Sequence, residues 1–83
     1  AGLDSIHVCT LAFVDNHLWI GTKQHGIKIL DVKKNNMRSI DYRHGLINNE
    51  ILCIRPHGRN IWVGHSGGLT GYERDSVYNA LWN

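Results

Sequence analysis

Six histidines, two cysteines and seven carboxylates are the reactive side chains of this 83-residue chain. A metal site needs three or four convergent ligands. His7, His17, His25, His44, His57 and His65 show neither a His-x-His pair nor the i, i+4 spacing that sets two imidazoles on one helix face. Most fall among turn-forming residues, so they read as solvated loop histidines with no metal bound. The segment His65-Ser66-Gly67-Gly68-Leu69-Thr70-Gly71 is glycine-rich. It lacks the Gly-Lys-Ser/Thr and the following helix through which a phosphate loop aims its N–H groups and lysine, and it reads as a turn. Ser66 with His65 and Asp75 does not make a hydrolytic triad, because there is no nucleophile elbow and adjacent strand residues point apart. No cofactor motif stands out. The polar side chains are better suited to binding than to bond-breaking, and the elements that position them decide what they can bind.

The length allows one small domain, and a hydrophobic content of 42% is ordinary for a folded protein. The net charge is +2, with no basic run longer than Lys33-Lys34, which leaves no patch for nucleic acid. The longest apolar stretch, Leu11 to Val14, is far short of the ~20 residues that span a bilayer, so no membrane contact is expected of this segment.

The chain repeats itself. Gly2-Leu3 recurs as Gly45-Leu46, and at that offset Val8 meets Ile51, Leu11 meets Ile54, Leu18 meets Ile61, Trp19 meets Trp62, Ile20 meets Val63 and Gly21 meets Gly64. After a one-residue deletion, Gly26 meets Gly68, Ile27 meets Leu69, Leu30 meets Tyr72 and Asp31 meets Glu73. A period of 43 falls in the ~40–45 range of one four-stranded propeller blade. The local pattern agrees: β-formers over His7–Phe13, a turn at Asp15-Asn16, an apolar strand Leu18–Thr22, a strand Ile27–Leu30, a polar turn, and an alternating strand Met37–Tyr42. The fold class expected is all-β, with two four-stranded antiparallel blades spanning 1–44 and 45–83. The end, Ser76–Asn83, should be the outer strand of the second unit, although Val77, Ala80 and Leu81 also suit a short helix.

Trp19 and Trp62 are expected to pack between blades, each followed by a glycine, Gly21 or Gly64, that lets a neighbour approach closely. Cys9 and Cys53 fall one step out of phase in the repeat, on opposite strand faces, and read as small buried hydrophobes rather than a disulfide. In a propeller, the loops after the second strand and those between blades share one face. That face would carry Lys23, Gln24, His25, Arg43, His44, Asn48, Asn49, His65 and Ser66, a set suited to hydrogen-bonding a polar ligand or partner.

With Gly45-Leu46-Ile47-Asn48-Asn49-Glu50-Ile51-Leu52-Cys53-Ile54 and Ile61-Trp62-Val63-Gly64, the chain resembles the two-component regulator propeller repeat. Leu18-Trp19-Ile20-Gly21-Thr22 carries that family's strand pattern in full. The second unit departs from it, with His65 in place of the threonine. The resemblance implies a piece of a periplasmic sensor propeller that recognises a saccharide-like or other polar ligand and transmits the signal through inter-blade packing. The alternative is a cytoplasmic WD-like scaffold whose partner is a protein. A propeller lyase or hydrolase would need clustered carboxylates on the channel-facing loops, and Asp4, Asp15, Asp31, Asp41, Glu50, Glu73 and Asp75 do not gather there. Two blades do not close a ring, and their terminal faces, with Leu18, Ile20, Ile61 and Val63, would lie open. The partners expected are therefore further blades or copies of the chain itself.

Overall fold

β-branched and aromatic residues between short polar turns leave the chain little choice but hairpins. In the computed structural model, which describes residues 6–40 and 50–82, they form two antiparallel sheets. The first has four strands in sequential order: β1 (Val8–Val14), β2 (His17–Thr22), β3 (Ile27–Asp31) and β4 (Asn36–Ile40). The second has three, β5 (Ile51–His57), β6 (Asn60–His65) and β7 (Gly68–Glu73), followed by a helix, α1 (Arg74–Trp82).

The turns explain the hairpins. Asp15 and Asn16 both take positive φ, 54° and 60°, the mirror-image turn whose twist matches that of the strands. In the second unit Gly58 supplies the positive φ of 60°. Asp31 Oδ1 accepts the backbone N–H groups of Lys33 and Lys34, both at 3.1 Å, which folds the chain from β3 into β4.

The 43-residue repeat persists in the pairing of the strands. Leu11 pairs with Ile20 and Ile54 with Val63; Ala12 pairs with Trp19 and Arg55 with Trp62. Each first hairpin is irregular at the same step, Val8/Thr10 and Ile51/Cys53. The Lys23 N–H to His7 C=O bond of 3.0 Å recurs as Ser66 to Glu50 at 3.2 Å. The Val32 to Asn16 bond recurs as Arg74 to Arg59, both 3.0 Å.

Register also fixes which faces meet. The core joins Trp19, Ile27, Ile29 and Ile40 of the first sheet to Ile51, Ile54, Ile61 and Val63 of the second. By the repeat, the counterparts of Trp19, Ile27 and Ile29 are Trp62, Leu69 and Gly71, on the far side of the second sheet. The counterparts of Ile54, Ile61 and Val63 are Leu11, Leu18 and Ile20, on the far side of the first. One face of a unit is therefore seated on the opposite face of the next, head to tail. Gly21 lies at the contact: a Cβ there would meet Thr10 Cγ2 at 2.5 Å and Ile51 Cγ2 at 2.6 Å.

The structure departs from the sequence expectations at several places. The second unit has three strands and a helix where a fourth strand was expected. Glu73, one methylene longer than its counterpart Asp31, accepts the Asp75 N–H at 2.7 Å and the Ser76 hydroxyl at 2.9 Å, and so caps a helix instead of a tight turn. Those two bonds, Ser76's first, also hold its carboxyl below the ordinary glutamate range. Trp82 and Tyr78 then find seats on the first sheet. Trp19 Nε1 donates to Tyr78 Oη at 3.1 Å, Tyr78 Oη donates to Val14 C=O at 3.3 Å, and Arg38 Nε donates to the Leu81 carbonyl at 3.2 Å. The last bond satisfies an orphan acceptor of the helix end.

Trp62 is not core. It is 41% exposed, with its ring laid over Gly71, whereas Trp19 is fully buried. The reason is that, among the described residues, the first sheet has a neighbour on its tryptophan face and the second has none there. Cys9 is exposed and Cys53 half-buried rather than buried, both as free thiols; Cys53 Sγ occupies the space that a Cβ on Gly64 would need. Ile20, Ile61 and Val63 are covered, and the apolar side chains left open include Leu11, Phe13, Leu52, Trp62 and Leu69.

These burials set unequal costs for the two tryptophans. At low protein concentration, Trp19→Ala should lose about 3–5 kcal/mol, and Trp62→Ala about 1 kcal/mol or less. Urea denaturation of the two variants measures both. Equal losses would mean that the two tryptophans are equally packed.

Candidate ligand-binding loop face

Ile51 at the start of β5 and Thr10 near the start of β1 both lie against Gly21 at the end of β2. The β2–β3 and β6–β7 turns therefore open at the same end of the molecule. Four residues of the first unit meet there. His7, Lys23, Gln24 and His25 line an open depression of about 220 Å³.

The turn is built from Thr22. Its hydroxyl donates to Gly26 C=O at 2.7 Å and accepts the His25 N–H at 2.9 Å, while its own N–H bonds Gly26 C=O at 3.1 Å. Gly26 closes the turn at φ 71°. Thr22 is fully buried, and it leaves Lys23, Gln24 and His25 projecting as a short exposed run. An ammonium, an amide and two imidazoles around one depression can donate to hydroxyl, carboxylate or phosphate oxygens. Sequence reasoning missed His7 as a member of this group. Its repeat counterpart is Glu50, also at the entry to a first strand, and that equivalence was the available signal.

The second unit arranges the same position differently. His65 replaces Thr22 and is only 3% exposed. Its Nδ1 accepts the Gly67 N–H at 3.2 Å, and its Nε2 lies 2.8 Å from Thr70 Oγ1. With Nδ1 accepting, the proton sits on Nε2 and is donated to Thr70. His65 is therefore corrected from a ligand-facing residue to a turn clamp, with both ring nitrogens engaged. Ser66 is exposed, and its hydroxyl donates to the Glu50 carboxylate. Where the first unit presents cationic and neutral donors, the second presents an acid. Arg43, His44, Asn48 and Asn49 lie outside the described residues, so only Lys23, Gln24 and His25, with His7, are brought together.

At the opposite strand ends, His17 is half-buried rather than solvated. It stacks on Tyr78 with ring centroids 3.9 Å apart. Its Nδ1 lies 2.7 Å from Asp15 C=O, and its Nε2 lies 3.6 Å from Asp31 Oδ2. Arg74 Nε pairs with Asp15 at 3.0 Å. These contacts lock the start of α1 to the first hairpin. Among the described residues no three His, Cys, Asp or Glu side chains gather as a metal set, and no helix is long and apolar enough to cross a membrane.

No protein-family model matches the chain, and no curated protein matches it.

Two outcomes follow from this geometry. His65→Ala strips the Gly67 N–H and Thr70 hydroxyl of their buried partner and should cost about 1–3 kcal/mol. His65→Thr, which restores the Thr22 arrangement, should recover part of the loss in a thermal melt; equal losses would remove the clamp role. The second outcome concerns pH. Burial raises the hydroxyl pKa of Tyr72, and burial is also the main cause of the rise at Tyr78. Stability from such groups is complete below the unfolded pKa and is lost as pH rises through the folded one. The melting temperature should therefore fall as pH climbs above about 10. Among the described residues the Tyr72 hydroxyl has no hydrogen-bond partner, so Tyr72→Phe should keep neutral-pH stability and flatten the alkaline decline. An unchanged slope would show that Tyr72 titrates alike in both states.

Proposed function

We propose that this chain supplies two blades of a β-propeller binding module, of the kind found in two-component-type sensors. In this reading the loop end takes a saccharide-like or other polar ligand, and packing between blades carries the signal. One observation carries it. The two units, offset by 43 residues in the sequence, pack head to tail, and repeat positions of each half of their interface lie exposed again on the outer faces. Leu11 (59% exposed) stands at the repeat position of Ile54, which meets the first sheet, and Trp62 and Leu69 (41% and 66%) stand at those of Trp19 and Ile27, which meet the second. Isolated exposed apolar residues are ordinary, but two opposed and mutually complementary faces mark interaction surfaces. A heterologous contact of this kind repeats until it closes a ring or runs on as a filament.

Ligand recognition then belongs to the loops that the stacked sheets hold at one end. His7, Lys23, Gln24 and His25 supply donors there, and further units would complete the site. A periplasmic location goes with this reading, and other blades or copies of the chain are the partners.

Light scattering after size exclusion tests the reading. The wild-type chain should run above its single-chain mass of 9.4 kDa. Phe13→Asp and Trp62→Asp should each disable one of the two faces and abolish self-association. Mixed in equal amounts, they should form a heterodimer through the one intact pair of faces. A cooperative wild-type monomer overturns the reading, and so does a mixture that stays monomeric.

A further inference from the structure

The repeat shows where the two units differ in chemistry at the loop end. His7 aligns with Glu50, Lys23 with Ser66 and Gln24 with Gly67, while His25 falls at the deleted position. Of the two units, the first sets an ammonium and two imidazoles around a depression of about 220 Å³. Two chain segments supply them, and the backbone ties those segments together. Lys23 N–H donates to His7 C=O at 3.0 Å, and buried Thr22 holds the turn through Gly26 C=O and His25 N–H. The four side chains are exposed, and no carboxylate among the described residues lines the depression. Glu50, the described acid at this end, accepts the Ser66 hydroxyl, and His65 has both ring nitrogens engaged inside its own unit. Asp15 and Asp31 lie at the far strand ends, beside Arg74 and His17. Lys28, on the neighbouring strand, donates to Ser39.

We propose that this depression is an oxyanion site, taking a carboxylate or sulfate group through the Lys23 ammonium, the Gln24 amide and the imidazoles of His7 and His25. The inference rests on the loop-face reading above and names the ligand class of that face. Lysine serves such groups as a point charge, and neutral imidazoles and amides add N–H donors. Imidazole is the side chain that gains charge between roughly pH 8 and pH 5, so acidification adds positive charge to the depression while a sulfate keeps its own. The oxyanion is either a free ion or a group carried on a sugar. All four residues belong to the first unit, so the site is whole in a single chain whether or not copies stack.

NMR titration of the whole chain at fixed ionic strength tests this, with sodium sulfate, glucuronate and glucose as probes. Sulfate and glucuronate should shift the amides of residues 23–26 and the ring protons of His7 and His25, and glucose should not. Lys23→Gln should weaken anion binding about fivefold, the effect of one charge at about 4 Å in water. Lowering the pH from 8 to 5.5 should tighten it about tenfold, and a His7→Gln, His25→Gln double variant should lose that dependence. Equal binding of the two anions assigns the site to the oxyanion group alone, and tighter binding of glucuronate assigns it to an acidic sugar. The proposal is overturned by no shift at tens of millimolar anion, by glucose binding as well as glucuronate, or by unchanged affinity in Lys23→Gln. Those results leave the stacked-unit reading to be judged by mass, and a monomeric chain that binds sulfate would overturn that reading and keep this one.

Discussion

A sheet whose two faces are both apolar has to find two neighbours, and among the described residues each sheet has one. That constraint comes from register. The strands pair identically in both units, so the face that carries Trp19 in the first carries Trp62 in the second. The two sheets meet through unlike faces. Had they met through like faces, around a two-fold axis, both tryptophans would be buried and the structure would be self-contained. Head-to-tail stacking instead buries Trp19, Ile27 and Ile29 against Ile54, Ile61 and Val63 and transfers the unmet need to the outside. The exposed apolar side chains of both outer faces follow from this single arrangement.

The helix is a local answer to a related problem. Where the first unit ends in a fourth strand, the second turns at Glu73 and sends Tyr78 and Trp82 back across the first sheet. Trp19 gains a hydrogen-bond acceptor in Tyr78, so this deeply buried indole N–H is satisfied by a residue outside its own sheet. Arg38, on the inner face of β4, reaches the helix end through the Leu81 carbonyl and lies 6.0 Å from the Trp82 ring centre. Cation–aromatic contacts at partly exposed sites are worth about 0.5–1 kcal/mol, so burial of the aromatic surface is the larger effect. The helix thus ties the two sheets along their outer margin, and among the described residues no strand lies on the outer edge of β7.

How much of this was legible in the sequence depends on how local the cause was. Strand positions, the Asp15-Asn16 turn and the 43-residue step are written in neighbouring residues, and the all-β reading followed from them. The exposure of Trp62 was not, because identical residues in a repeat have identical environments only when both have the same neighbours. The C-terminal helix begins after a residue that the repeat aligns with a turn former. Asp31 and Glu73 align, yet the shorter carboxylate folds back on its own turn and the longer one reaches a helix N-terminus. A short segment with apolar positions at 77, 80 and 81 fits either period, and tertiary seating of Tyr78 decided between them. Within the candidate site, the run Lys23–His25 was legible as an exposed turn. The contribution of His7 was not, because it comes from the chain segment entering β1.

His65 shows why residue type misled where position did not. An imidazole at a loop facing a binding surface invites a functional role, and threonine at the same place in the first unit does not. Yet both side chains hold their turns in the same way. Each is buried and accepts a backbone N–H from its own turn, Thr22 from His25 and His65 from Gly67. Thr22 then closes its turn by donating to Gly26. Imidazole is longer and carries its donor across the ring, so the second bond reaches the strand beyond, at Thr70. The substitution moves the anchor from the turn to the strand pair, and it leaves the exposed chemistry of the second loop to Ser66 and Glu50. A loop face assembled from such units varies its charge through the exposed positions while the buried clamp holds the loop's shape. That separation is what lets one repeated scaffold present a cationic depression in one unit and an acidic loop in the next.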